Sequence, residues 1–172
     1  FSILPSKDGA RSGFVPADIA TCAHCLEDVL NPESRYYGYW ATSCTDCGPR
    51  YSVIHTVPYD RERTAMQEFP KCAACEADYT NPENRRHHAQ TIACEECGPK
   101  LFLLDGEGNE VSGDPIEETA KLLDEGEILA IRGIGGFHIA CVEASAEKLK
   151  RVLGRPNQAL AVMMLEETMQ EY

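Results

Sequence analysis

The heptapeptide CTDCGPR at residues 44–50 returns fifty positions later as CEECGPK at 94–100. No other feature constrains the fold as strongly, because the echo extends far beyond the phrase. Cys22-x2-Cys25 is followed by eighteen residues and then Cys44-x2-Cys47; Cys72-x2-Cys75 is followed by eighteen residues and then Cys94-x2-Cys97. Between the pairs, Asn31-Pro32-Glu33 matches Asn81-Pro82-Glu83 and Arg35 matches Arg85; after them, Gly48-Pro49 matches Gly98-Pro99. This is an internal duplication of a small unit.

The spacing suits a metal. Two thiolates separated by two residues on a tight turn can each reach one ion at about 2.3 Å, and two such turns complete a tetrahedral four-thiolate site. The glycine after the last cysteine lets the backbone turn where a side chain would crowd it. Cys22, Cys25, Cys44, Cys47, Cys72, Cys75, Cys94 and Cys97 are therefore expected to hold two zinc ions. Disulfides are disfavoured because no export signal accompanies the cysteines. Redox chemistry needs a thioredoxin-like context that is missing. Bacterial ferredoxin spacing is tighter than two pairs eighteen residues apart. Four thiolates close the coordination sphere, so the zincs are expected to be structural and not catalytic. The spacing leaves open whether each ion takes both pairs of one repeat or pairs drawn from both.

The eighteen-residue spacer of the first repeat is aromatic, with Tyr36, Tyr37, Tyr39 and Trp40; these are expected to form the small core or an interface. His87 and His88 in the second spacer could substitute as ligands, but with eight cysteines available a surface or interface role is expected. The linking segment IHTVPYDRERTAMQEFP carries DRER, expected as a solvated turn or helix start.

Composition narrows the class. The chain has 172 residues, 43% hydrophobic and 26% charged, as in a globular protein. The formal charge is −12, and thiolate ligation of two dications would make it more negative. An acidic chain repels phosphate backbones, so nucleic acid is not the expected partner. No apolar run approaches the roughly 18 residues that span a bilayer. The opening FSILPSKDGARSG has neither an initiator methionine nor an apolar signal core, and is expected to be an internal piece of a longer chain.

From residue 112 the pattern becomes regular. SGDPIEETAKLLDEGE is expected as a helix, capped by Asp114 with Pro115 in the first turn, Glu117 closing a capping box, and an apolar stripe of Ile116, Ala120 and Leu123 ended by Gly126. EILAIRG (127–133) is expected as a buried strand, followed by a glycine turn and a second strand, FHIACVEA. Ser145 can cap a helix with Ala146, Leu149, Val152 and Leu153 inward, and LAVMMLE (160–166) is expected as a third strand. That order describes part of an α/β domain. RGIGGFH is a weak phosphate-loop signal, and a glycine hairpin is the simpler reading. Cys141 is expected to be a buried, inert thiol.

The segments VPADIATCAHC, CTDCGPRYSVI, VPYDRERTAM, FPKCAAC, ACEECGP and RGIGGFHIAC together resemble the HypF family of carbamoyltransferases in nickel–iron hydrogenase maturation. The likeness runs from about residue 15 to 164. It implies a mixed α+β and α/β organisation, a small tandem four-cysteine zinc-binding module followed by a truncated YrdC-like α/β domain. Residues 1–21 would be the linker from an N-terminal acylphosphatase-like domain, 22–104 the zinc module, and 112–172 the first part of the YrdC-like domain. The family uses carbamoyl phosphate and ATP to make carbamoyl-adenylate and passes the carbamoyl group to the C-terminal cysteine of a partner, HypE. The resemblance places Arg132, Gly135, Gly136, His138 and Arg155 in the adenylate pocket; glycine amides and basic side chains can meet phosphate charge there. It implies a cytoplasmic protein, two structural zincs, no DNA and no membrane, and no turnover by these residues alone. Two lysines usual in the family are replaced by Leu153 and Gln158, which is expected to weaken nucleotide binding. The second function class that follows is a zinc-stabilised docking module with a degenerate YrdC-like part.

Overall fold

The computed structural model describes residues 14–133 and 135–169. Most of the expected linker, residues 1–13, and the loop residue Ile134 lie outside the described residues. The chain condenses into two units that divide between Lys100 and Leu101.

In the first unit each repeat opens on a helix of eight residues, α1 (Ala23–Leu30) and α2 (Ala73–Thr80). Cys22 and Cys72 occupy the N-cap positions, so the second cysteine of each pair sits in the first turn. Both helices stop at the repeated Asn-Pro-Glu, where Asn31 and Asn81 are extended. Each asparagine side chain accepts from the N–H two residues on, Glu33 or Glu83, at 3.0 Å. This Asx turn redirects the chain, and the proline cannot extend the helix. The loop then takes a left-handed step at Gly38 (φ 68) and at its counterpart His88 (φ 56).

The fingers share their cores. Tyr36 of the first repeat is buried with Cys75, Ala89, Ile92 and Cys94 of the second. Tyr39 packs with Met66 of the connecting segment and with Ala93. The spacer aromatics thus divide: Tyr36 and Tyr39 are core, whereas Tyr37 and Trp40 remain exposed. The connecting segment forms three short 3-10 helices (Tyr51–Val53, Arg61–Arg63 and Ala65–Glu68) and a bridge between Ile54 and Thr64. DRER is therefore a helix start, but only in part a solvated one. Arg61 is half-buried and donates to the carbonyls of Gln90, Ile92 and Phe69 at 2.7–2.8 Å, tying the linker to the second finger.

In the second unit α3 (Pro115–Asp124) shows the expected Asp114 cap, first-turn proline and glycine stop. Asp114 accepts from the N–H groups of Ile116 and Glu117 at 2.9 Å, Pro115 stands in the first turn, and Gly126 terminates with φ 86. Strands β1 (Leu129–Gly133) and β2 (Gly136–Ala140) pair antiparallel as a glycine hairpin, Gly133 opposite Gly136. α4 (Ala146–Val152) and the short α5 (Glu166–Met169) complete the described elements.

Several expectations for this unit fail for one physical reason. β1 is mostly exposed instead of buried, Ile116, Val152 and Leu153 are also exposed, and Cys141 is half-exposed. Of the α4 stripe only Leu149 is buried. Residues 160–165 are not a strand. A two-stranded sheet supplies neither a packed layer nor a paired edge for further strands. The apolar pattern of these segments is written for more sheet than the described residues contain. Ser145, at the N-cap of α4, makes no capping bond there; its hydroxyl donates to Gly126 O at 2.7 Å.

Candidate metal centres

The eight repeated cysteines gather into two groups: Cys22, Cys25, Cys44 and Cys47, and Cys72, Cys75, Cys94 and Cys97. Each group is drawn from one repeat, which settles the pairing left open by the spacing. The close sulfur separations are 3.8 Å for Cys22–Cys44 and for Cys44–Cys47, 3.7 Å for Cys72–Cys94, 3.9 Å for Cys94–Cys97 and 3.5 Å for Cys75–Cys97. A tetrahedron with bonds of about 2.3 Å has edges of about 3.8 Å, so the sulfurs already mark out a zinc-sized polyhedron. A disulfide, at about 2.05 Å, does not describe any of them.

Helix starts and tight turns build these sites. Cys22 and Cys72 begin α1 and α2, where free N–H groups favour a thiolate, but at Cys72 burial outweighs the N–H of Cys75 and pushes the thiol up. The Cys22 thiol is brought down to about 6, chiefly by the N–H of Cys25. The second pair of each site lies on a turn; Gly98 N–H donates to Cys94 O at 2.8 Å. The glycines after these turns are needed for packing as well as for bending. Gly48 has φ 99, and a Cβ there would stand 2.6 Å from Ser43 Cβ. A Cβ on Gly98 would stand 1.9 Å from the Tyr39 hydroxyl. The crowding comes from Ser43 just before the first turn, and from Ala93 and the other repeat's Tyr39 at the second.

The deeper cysteines need help. Burial pushes the Cys25 thiol up to about 12 and raises that of Cys75 as well. Each receives guanidinium donors from the other repeat. Arg85 Nη1 donates to Cys25 Sγ at 3.0 Å, and Arg35 Nη1 and Nη2 donate to Cys75 Sγ at 3.6 and 3.4 Å. The same arginines pair with Asp28 and Asp78, again across the repeats. Arg86, almost fully buried, adds a second bond to Asp28 at 2.5 Å. Tyr36, at the position equivalent to Arg86, donates its hydroxyl to Asp78 at 2.9 Å. Both arginines hold the Asp28 carboxyl below its ordinary range against the burial that would raise it. Asp28 and Asp78 recur at the same fifty-residue offset as Arg35 and Arg85, a signal that the sequence carries but that cysteine spacing alone does not single out.

His87 and His88 belong to neither sulfur group. The His88 ring lies against Tyr79, with centroids 4.7 Å apart, and burial lowers its basicity. The His87 ring meets the His88 ring edge-on, with centroids 4.5 Å apart.

The sequence profile of the HypF finger matches residues 21–54 and 72–104. Both modules match the HypF finger. Their four-cysteine sites fit structural zinc in number, geometry and closure. The whole chain is similar to HypF proteins. It is 52% identical over 169 residues to a HypF of Methanocaldococcus jannaschii, covering 95% of this chain and 22% of that protein. It is 51% identical over 158 residues to the carbamoyltransferase HypF2 of Cupriavidus necator, covering 90% and 20%. The crystal structure of T. kodakarensis HypF superposes with a TM-score of 0.85 at 43% identity, over 92% of this chain and 21% of that one. A full-length HypF in a phosphate- and nucleotide-bound form gives a TM-score of 0.83 at 41% identity, over 92% and 21%. The chain thus spans about a fifth of the length of the HypF relatives it matches.

The residues expected around a nucleotide lie in the second unit. In the hairpin register Arg132 faces Phe137 and Ile131 faces His138. Cross-strand partners share a face and successive residues alternate, so Arg132 and His138 stand on opposite faces. The Arg132 guanidinium lies 5.2 Å from the Phe137 ring centre. Gly135 and Gly136 have open space where a side chain would be, and Gly136 has φ 146. Arg155 is exposed in the turn after α4, its N–H donating to Lys150 O at 2.9 Å. No helix among the described residues is long and apolar enough to cross a membrane.

Proposed function

We propose that this chain is the double zinc-finger module and the start of the YrdC-like domain of a HypF carbamoyltransferase. In that reading the protein makes carbamoyl-adenylate from carbamoyl phosphate and ATP and delivers the carbamoyl group to the C-terminal cysteine of HypE in the cytoplasm, for the cyanide ligands of a nickel–iron hydrogenase. The supporting observation is similarity to HypF across 95% of the chain, with both fingers in register.

The part played by these residues follows from their chemistry. Closed four-thiolate sites offer a metal no open position, so they act by holding shape. In this reading Arg132, Gly135, Gly136, His138 and Arg155 belong to the nucleotide side of the enzyme, and the fingers are a separate, zinc-stabilised module. In this reading Arg132 and the backbone amides of the glycine turn donate to phosphate. The test is carbamoyl-phosphate-dependent exchange between ATP and pyrophosphate by the full-length protein that carries this module. Exchange above background is expected, and Arg132→Ala is expected to lower it. No exchange, with two zincs per chain in place, would count for the docking-module reading that Leu153 and Gln158 favour.

A further inference from the structure

We propose that the two zinc sites load as one cooperative unit, because each finger supplies the arginine that neutralises the other finger's buried thiolate. This rests on the zinc assignment and is independent of the carbamoyl chemistry.

The contacts are reciprocal. Arg35 of the first finger bonds Cys75 and Asp78 on α2, and Arg85 of the second bonds Cys25 and Asp28 on α1. A zinc held by four thiolates keeps a net charge of two minus, and donors to the sulfurs offset it. Those donors come from across the interface. Each arginine sits two residues after its finger's Asn-Pro-Glu turn, on a loop whose course is fixed only when its own finger is folded. An empty first finger therefore withdraws Arg35 from Cys75 and releases α1 from Arg85. It also removes Tyr36, which sits in the core of the second finger. The symmetric losses follow from an empty second finger, except that Arg86 replaces Tyr36 in the equivalent place. Small metal domains fold as they bind, so loading one site prepares the other.

Two measurements test this. The reduced chain is stripped of metal and given one zinc per chain, and its species are counted by native mass spectrometry. Metal-free and two-zinc forms should dominate. A one-zinc form near the half share that independent, equal sites give would overturn the proposal. A chain that takes no second zinc even in excess would overturn the zinc assignment and the proposal together.

The second measurement resolves the sites. Zinc-loaded Arg35→Gln and Arg85→Gln are challenged with a chelator, and cysteine alkylation is mapped by peptide. Removing a donor to a ligand weakens metal binding by roughly tenfold or more. Arg35→Gln should therefore expose Cys72, Cys75, Cys94 and Cys97 first, and Arg85→Gln should expose Cys22, Cys25, Cys44 and Cys47 first. Arg35→Lys, which retains the charge, should be intermediate. Labelling that begins in the mutated finger itself, or stays at the unmodified rate, would overturn the cross-finger mechanism. If either glutamine variant does not fold, the species count on the unaltered chain decides.

Discussion

Arg86 and Tyr36 hold equivalent positions in the two repeats, and the Arg86 guanidinium lies 3.8 Å from the centre of the Tyr36 ring. Equivalent positions of a duplicated unit touch only where the copies face each other across an approximate two-fold axis, as in an isologous dimer. The Arg35–Asp78 and Arg85–Asp28 pairs flank this contact symmetrically. The duplication therefore joins two copies of a self-complementary surface within one chain. The pair at the axis has diverged into a cation and an aromatic ring, whose attraction is strongest when removed from water.

Asp28 is the most exposed point of failure at this axis, because two arginines depend on it. Asp28→Asn would leave Arg86, whose side chain is 5% exposed, without its carboxylate. Removing one partner of a fully buried pair costs about 3–5 kcal/mol, and partial exposure of Asp28 reduces the expected loss to about 2–3 kcal/mol. Glu95→Gln, which removes the exposed partner of Lys100, should change stability by less than about 1 kcal/mol. Denaturant unfolding of the zinc-loaded proteins measures both, and equal effects would show that the axis pair has no special weight.

Gly98→Ala should be far more damaging than Gly106→Ala. A Cβ at 98 meets the Tyr39 hydroxyl at 1.9 Å and Ala93 Cβ at 2.6 Å, whereas at 106 nothing lies within 4 Å. Tyr39 is buried and its hydroxyl donates to Pro99 O, so it has little room to withdraw. Overpacking of this kind costs about 1–3 kcal/mol or more, against roughly ±0.5 for the open site. Thermal unfolding with zinc bound compares them.

Metal removal should unfold residues 22–100 and leave α3 and the hairpin little changed. The buried set of the fingers consists largely of the cysteines themselves with Tyr36, Tyr39 and Ile92, so zinc is expected to supply on the order of 10 kcal/mol per site. A reduced, chelated sample should lose the signals of α1 and α2 in circular dichroism and amide exchange. Retention of both helices would sink the structural role of the metal.

Acid should unfold the fingers through the thiolates before the carboxylates. Zinc needs all four sulfurs deprotonated, so protons compete with it and affinity falls as pH falls. Burial holds the metal-free Cys25 thiol near 12, which makes protonation the favoured state once zinc leaves. Asp28 behaves oppositely: its depressed carboxyl adds stability above its unfolded value near 3.8, lost only as pH drops through the lower folded value. The acid midpoint should therefore move downward when free zinc is raised. A midpoint indifferent to zinc would assign acid unfolding to Asp28 and Asp18 instead, since both are held low in the fold.

Much of the metal centres could be read from cysteine spacing, because ligand identity and interval are dictated by one ion's geometry. The assignment of each ion to one repeat was not readable, since eight equal ligands permit both pairings. Nor was the arginine exchange: Arg35 lies far from Cys75 and Asp78 in sequence, and only the packing of two copies brings them together. Arg61 was hidden for a related reason. A charged run usually faces water, and only the carbonyls of Gln90, Ile92 and Phe69, supplied from elsewhere in the chain, make its burial tolerable. In the second unit the capped helix α3 was legible because its signals are local, whereas the stretch at 160–165 shows how an apolar run becomes a strand only beside a partner.

The replacements at 153 and 158 give the last test, made in the full-length protein. Leu153 closes α4 and is 38% exposed, and Gln158 lies in the turn whose N–H bonds Arg155 O. Neither side chain carries the charge that the resemblance leads one to expect there. If this turn borders an adenylate, Leu153→Lys and Gln158→Lys should each add a charge-assisted contact of about 1.5–3 kcal/mol, tightening ATP roughly tenfold or more. Because both positions are at the surface, neither change should disturb folding by more than about 0.5 kcal/mol. Calorimetric titration with ATP, alongside zinc content and melting temperature, separates binding from stability. Unchanged affinity in a stable, zinc-loaded double variant would remove this turn from the nucleotide site and leave the Arg132 face of the hairpin to carry the phosphate contacts.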